Sequence, residues 1–167
     1  MVSDPAAADL EPETVNALRA AAEPFGGRIR VDANVPYAEV KAAWERAEVG
    51  MVLTTGPEPF GRTALEAMAS GAAVITSGRG GLAEICGSCA VTVEPSDVGG
   101  IAAALGQLLD APDRRAELAR AGRKRVEALF DIRAISRQMD EFIAACLGEG
   151  RGQAKVSDPS HEAALPL

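Results

Sequence analysis

The sequence predicts an α/β protein: a doubly wound, Rossmann-like parallel sheet flanked by helices, with additional helices at its C-terminal end. Two observations carry this expectation. Short apolar runs of strand length take turns with helical patterns along the chain, and a helical connection is what parallel neighbouring strands require. The clearest run, "VGMVLT" at 49–54, is continuously apolar, as expected of a strand covered on both faces.

The elements follow in order. Residues 1–10 form an acidic, loose leader. "EPETVNALRAAAEPF" is helical, and the Gly26-Gly27 turn leads into a short strand, "RIRV". "PYAEVKAAWERA" is a second helix, opened by Pro36 near its first turn. After the strand at 49–54 comes a helix from about residue 62 to 70, closed by Gly71. "AAVIT" is a strand, "GLAEIC" a short helix, "AVTVE" a strand and "DVGGIAAALGQLLD" a helix. Two amphipathic helices end the domain. Leu118, Val126, Leu129 and Phe130 suit the inner face of the first, and Ile132, Ile135, Met139, Phe142 and Ile143 that of the second. "GRKR" at 122–125 reads as a solvated helix face, and the polar, aperiodic residues 150–167 as a disordered tail. The expected domain is therefore 11–149.

Length and charge bound the function. A chain of 167 residues with 47% apolar content suffices for one core. Its 17 basic against 24 acidic residues, a net charge of −7, argue against nucleic-acid partners, which need a positive field. An anionic ligand must be held by local devices. There is no transmembrane segment in the sequence and no secretion signal in its acidic leader, so the expected location is cytoplasmic. Cys86, Cys89 and Cys146 fit a reduced compartment. "CGSC" at 86–89 has redox or half-zinc spacing, but it ends a helix where a redox pair opens one, and zinc lacks further ligands; small core residues are the favoured reading.

The chemistry concentrates in "GPEPFGRTALEAMASG" at 56–71. A helix that starts after a parallel strand offers unpaired amides at the sheet's ligand-binding edge, and Gly61 permits close approach. The amides of Gly61, Arg62 and Thr63, with the Thr63 hydroxyl and the Arg62 guanidinium, make a phosphate seat. Helical side chains lean toward the N-terminus, so Glu66 projects back toward that seat and suits a ribose cis-diol, at about 1.5–3 kcal/mol per charged hydrogen bond. Glu58, on the preceding loop, suits the hydroxyls of a second sugar. The two carboxylates would bracket a diphosphate, the order of groups in a nucleotide diphosphate-sugar. The plainer alternative makes Glu58 a loop charge and Glu66 a partly exposed partner of Arg62. The apolar Leu65, Ala67, Met68 and Ala69 around Glu66 favour a crevice, because burial without a partner is expensive.

"EPFGRTALEAMASGAAVITSGRGGLAEI" closely resembles the E-x7-E segment of retaining, GT-B type glycosyltransferases of family 4, the glycosyl transferases group 1, with Glu58 and Glu66 as its glutamates. The resemblance covers roughly residues 11–146 and implies the C-terminal, donor-binding half of a GT-B fold. It implies that Glu66 holds the donor ribose, that the amides after Phe60 and Gly61 hold the diphosphate, and that Glu58 acts at the transferred sugar beside the reacting centre. Gly80 and Gly81 would shape a second loop of the crevice, with a tight turn before a short helix as their simpler role; Glu84 would cap or orient that helix. The resemblance implies no metal and no cofactor. It implies a UDP-, GDP- or ADP-sugar donor, a hydroxyl acceptor of unknown identity, and retention of configuration.

The chain also departs from the family. It lacks the first domain and the opening strands of the second, including a basic pair that neutralises the diphosphate, for which Arg62 and Arg79 substitute in part. Activity is therefore expected to need an N-terminal-domain partner. The rival expectations are an inactive binding or assembly module docking through the apolar surface left by the absent strands, and a sugar-nucleotide epimerase of the same architecture.

Overall fold

The computed structural model describes residues 12–148. In chain order these form α1 (Pro12–Ala22), one 3₁₀ turn (Glu23–Phe25), α2 (Tyr37–Arg46), β1 (Val49–Val52), α3 (Arg62–Ala69), β2 (Ala73–Thr76), α4 (Gly81–Cys86), β3 (Val91–Thr92), α5 (Val98–Asp110), α6 (Pro112–Leu129) and α7 (Ile132–Gly148). The leader and tail expected from sequence lie outside the described residues.

The strands make one parallel sheet in the order β1-β2-β3, with Val49 opposite Ala73 and Ile75 opposite Val91. Central β2 is buried along its whole length, and its period of two sends alternate side chains to opposite faces. Val74 packs with Ala64, Ala67, Met68, Leu82 and Ile85 from α3 and α4. Ala73 and Ile75 pack with Ala104 and Leu108 from α5. Helices thus cover both faces of the sheet, as the doubly wound expectation required. α6 serves both layers: Val126 belongs to the first, and Leu118 and Ala119 pack against the second. Gly122 lets α6 cross α3 closely, since a Cβ there would lie 3.2 Å from Met68 Cε.

Helices and the two strands at 49–54 and 72–76 agree with expectation to within a few residues, and the expected first strand does not form. Residues 28–31 ("RIRV") form no strand, Ile29 is exposed, and Arg30 pairs locally with Asp32 at 2.6 Å. A strand exists only when a neighbour accepts its hydrogen bonds, and none of the three described strands lies beside this segment. β1 is an edge strand paired on one side only among the described residues; Val52 packs on one face and Val49 on the other, but Met51 is 47% exposed, so burial on both faces is incomplete. "AVTVE" contributes only two residues to the ladder. The apolar face of α7 is also open: Ile132, Ile135, Met139, Phe142 and Ile143 are all exposed, and Leu129 of α6 is 40% exposed. The inner face expected for α7 is therefore largely in solvent, although α7 touches α6 and buries Ala134.

These layers predict a contrast in stability. Leu108→Ala, at a fully buried position, should cost about 2–5 kcal/mol in urea unfolding, whereas Met139→Ala should stay within about 0.5 kcal/mol. Equal losses would contradict the burial described here.

Candidate functional site

The loops that leave β1 and β2 run side by side beyond the sheet's C-terminal edge. Their pairing extends the ladder: the Ser77 amide donates to the Val52 carbonyl at 3.2 Å, the Thr54 amide to Ser77 Oγ at 3.3 Å, and the Gly81 amide to the Glu58 carbonyl at 2.7 Å. Glu58 and Gly80 form a parallel bridge. The approach is so close that a Cβ on Gly80 would sit 2.4 Å from the Glu58 carbonyl oxygen, and one on Gly81 2.4 Å from that of Phe60. Gly80 also holds φ +59° with ψ −134°, a conformation that L side chains avoid. Gly80 and Gly81 are therefore more than a tight turn: they clasp the loop that carries Glu58.

That loop ends on Gly61, at φ +95°, where a Cβ would press on Leu82 at 2.9 Å. α3 begins immediately after it, with no side chain capping its first amides. The Ala64 amide is satisfied by the Gly61 carbonyl at 3.0 Å. The amides of Arg62 and Thr63 lie in the first turn, where no helical acceptor exists, at the positive end of the helix dipole.

Glu58 departs from its expected disposition. Its Oε1 accepts the Gly61 amide at 3.1 Å and the Phe60 amide at 3.5 Å. The Gly61 amide is thus engaged by the carboxylate, which narrows the expected seat to Arg62 and Thr63. Glu66 is sheltered: its side chain is 21% exposed, and it meets the outward Arg62 guanidinium at 3.4 Å. Phe60 is 53% exposed on the loop between the two glutamates. The structure accordingly brings Glu58, Phe60, Gly61, Gly80 and Gly81 into one assembly at the start of α3, with Arg62, Thr63 and Glu66 on its first turns.

Arg79 is not a free cation waiting for an anion. It reaches the Thr55 carbonyl and makes a two-pronged contact with Glu94, at 2.8 and 3.1 Å. Glu94 also accepts the Ser96 hydroxyl at 3.1 Å; hydrogen bonding from Ser96, followed by Arg79, holds its carboxyl below the ordinary value of 4.5. Two further assignments change. Glu84 caps nothing with its side chain; its carbonyl accepts Arg125 Nη2 at 2.7 Å, and that of Ile85 accepts Arg125 Nε at 2.8 Å. Within "GRKR", Gly122 is buried and Arg125 closes the C-terminal end of α4, so only part of the motif is a solvated face. An arginine's reach to carbonyls about 40 residues away has no periodic signature in sequence.

Cys86 is fully buried at the last position of α4, and burial pushes its thiol up, opposed by Thr76 and Arg125. A reactive thiol needs the opposite shift. Among the described residues no group of three metal-ligating side chains exists, and no helix is long and apolar enough to cross a membrane. A concavity of about 650 Å³ lies beside Trp44, lined by Arg30, Val40 and Arg46 among others, and contains none of the residues of this site.

The parallel sheet thus carries an uncapped helix start at its C-terminal edge, with Glu58 before it and Glu66 within it. The family model for glycosyl transferases group 1 matches residues 14–125. The chain is 38% identical over 136 residues to a glycogen synthase of Mycobacterium tuberculosis, covering 80% of this chain and 32% of that protein. It is 37% identical over 103 residues to an MMP α-(1→4)-mannosyltransferase of Mycolicibacterium hassiacum, covering 60% of this chain and 25% of that protein. Among solved structures, sucrose-phosphate synthase of Thermosynechococcus elongatus aligns with TM-score 0.68 at 29% identity, over 80% of this chain and 34% of that one. The Anabaena protein Alr3699/HepE in complex with UDP-glucose aligns with TM-score 0.69 at 23% identity, over 81% of this chain and 38% of that one. The chain belongs to the glycosyl transferases group 1 family, and its fold is that of part of a GT-B glycosyltransferase. It spans about a third of the length of the curated relatives it matches most extensively.

Two measurements check this geometry. Gly80→Ala should destabilise the fold by more than Gly71→Ala: both glycines have positive φ, where a Cβ brings about 1–2 kcal/mol of steric strain, but only at Gly80 does that Cβ also meet backbone atoms. Equal effects in chemical unfolding would remove the clasp. The Glu94 contacts should strengthen on going above pH 4.5 and be lost as acidification passes its depressed folded-state value, because the paired form is the anion. A carboxyl-carbon NMR titration should place the Glu94 midpoint below 4.5; a midpoint at or above that value would contradict the pairing.

Proposed function

We propose that this chain is the donor-binding part of a glycosyltransferase, the C-terminal half of a GT-B architecture, and that it holds a nucleotide diphosphate-sugar at the start of α3. The observation that carries the reading is the pairing of the uncapped first turn of α3 with a sheltered Glu66 one turn later. The Arg62 and Thr63 amides, with the Thr63 hydroxyl, bind the diphosphate through the helix dipole, and Arg62 adds charge by leaving Glu66. Glu66 accepts the ribose hydroxyls. Glu58, already fixed by two backbone amides, presents its remaining acceptor capacity to the transferred sugar beside the reacting centre. Exposed Phe60 lines the same crevice, and the Gly80-Gly81 clasp sets its width.

Sugar then passes with retention to a hydroxyl acceptor, in a reaction that needs no metal. UDP is the favoured nucleotide, with GDP and ADP as alternatives, because a solved neighbour sharing the fold holds UDP and UDP-glucose. Charge separation at the leaving diphosphate needs a closed, dry cleft, and an N-terminal domain would supply its other wall. The reading places the protein in the cytoplasm, where nucleotide-sugars and free thiols coexist. One feature favours a non-catalytic docking module instead: the open edge of β1 beside exposed Met51 is suited to another chain.

Glu66→Gln should weaken UDP binding by about 1–3 kcal/mol in titration calorimetry, through loss of a charged acceptor. Affinity equal to the wild type for UDP, GDP and ADP would remove Glu66 from the ribose. Release of nucleotide diphosphate from UDP-, GDP- or ADP-glucose on adding an N-terminal-domain chain would favour the enzyme; binding without turnover would favour the module.

A further inference from the structure

Arg79 joins the loops that follow all three strands. Its Nη1 donates to the Thr55 carbonyl after β1, its backbone belongs to the loop after β2, and its Nη2 grips both oxygens of Glu94 after β3. Glu94 is itself braced by the Ser96 hydroxyl. The loop from Thr55 to Glu58 is therefore fastened at two points. One is backbone-to-backbone, Gly80 and Gly81 on Glu58; the other is the Arg79 side chain on Thr55. Only the second can be removed without placing a Cβ inside the first.

We propose that Arg79 is a positioning residue: by tying Thr55 to Glu94 it fixes the loop that carries Glu58, and so sets how tightly the sugar end of the donor is held. The proposal rests on the donor-site reading above and assigns Arg79 a role other than neutralising the diphosphate. Magnitudes support the division of labour. Exposed ion pairs contribute at most about 1 kcal/mol to global stability, so removing this one leaves the fold intact. The planar guanidinium nevertheless serves two partners at once, Nη1 on Thr55 and Nη2 on Glu94, and the single ammonium of lysine does not reproduce that spread. The diphosphate seat, on α3, is anchored independently by Ala64, Ala67 and Met68 in the core. Loosening the loop should thus reach Glu58 and spare Arg62 and Thr63.

The test compares UDP with UDP-glucose on the wild type, Arg79→Ala, Arg79→Lys and Glu94→Gln, alongside amide hydrogen exchange at Phe60, Gly61 and Gly81. Arg79→Ala should weaken UDP-glucose about tenfold, the worth of one charged hydrogen bond, while changing UDP less than about threefold. Exchange at Phe60 and Gly61 should rise. Arg79→Lys should resemble the alanine variant, and Glu94→Gln, which keeps one acceptor oxygen, should lie between. Equal weakening of both ligands would overturn the proposal by placing Arg79 on the diphosphate, and so would wild-type exchange with an unchanged UDP-glucose to UDP ratio. If the wild type binds neither ligand, the donor-site reading fails, and exchange alone decides whether Arg79 holds the loop.

Discussion

Everything at the candidate site depends on two peptide backbones approaching to the distance that only glycine permits. Gly80 and Gly81 lie against Glu58 and Phe60 with no room for a methyl group, and this contact turns two separate loops into one rigid edge. Glu58 can then fold back on the Gly61 and Phe60 amides, and Gly61 can enter α3 in the left-handed conformation that aims the helix start outward. A side chain at either glycine would separate the loops, and the carboxylate, the turn and the helix dipole would lose their common frame. The constraint is steric before it is electrostatic.

The electrostatics follow from that frame. A protein with net charge −7 repels a diphosphate at long range, so attraction must come from dipoles and single charges at contact distance. The structure spends its nearby cations sparingly: Arg79 is neutralised by Glu94, and Arg125 by carbonyls at the end of α4. Arg62 alone points outward at the seat, 63% exposed and only loosely paired with Glu66. On the donor-site reading proposed above, peptide dipoles are therefore the main anion-binding device among the described residues, and they do not depend on ionic pairing with the rest of the surface.

What the sequence revealed divides along physical lines. Helices carry their own hydrogen bonds, so α3, α5 and α6 were readable from periodicity and capping; Asp97 accepts the Gly100 amide at 2.9 Å, as its place before α5 suggests. The order Phe-Gly, glutamate, Gly-Gly was readable because each residue type answers a local demand. The partnership of Gly80 with Glu58 was half-legible: both were assigned to one crevice, but the atomic contact between them was not. Arg79 with Glu94 and Arg125 with Ile85 were invisible, because long side chains reach partners by tertiary placement and leave no spacing in the sequence. One strand failed for the same reason at larger scale: "RIRV" is strand-like in composition but pairs with none of the described strands, whereas the runs at 49–54 and 72–76 do form strands.

That last failure bears on the two functional readings. β1 exposes one edge and Met51, Trp44 Nε1 is buried without a partner, and α7 turns five large apolar side chains outward. Each is a cost in isolation: unpaired strand groups, an unsatisfied indole and wetted hydrocarbon all raise the free energy of this chain standing alone. At the candidate site the loop backbones satisfy one another, with Gly81 on Glu58 and Gly61 on the Glu58 carboxylate, and only the first amides of α3 stay uncapped. Of the open faces, the edge of β1 beside Met51, among the described residues, is what favours a docking module. The clasp of Gly80 and Gly81 on Glu58 is what supports the donor-site reading proposed above, because assembly alone makes no demand for two backbones held at glycine distance beside a pair of glutamates.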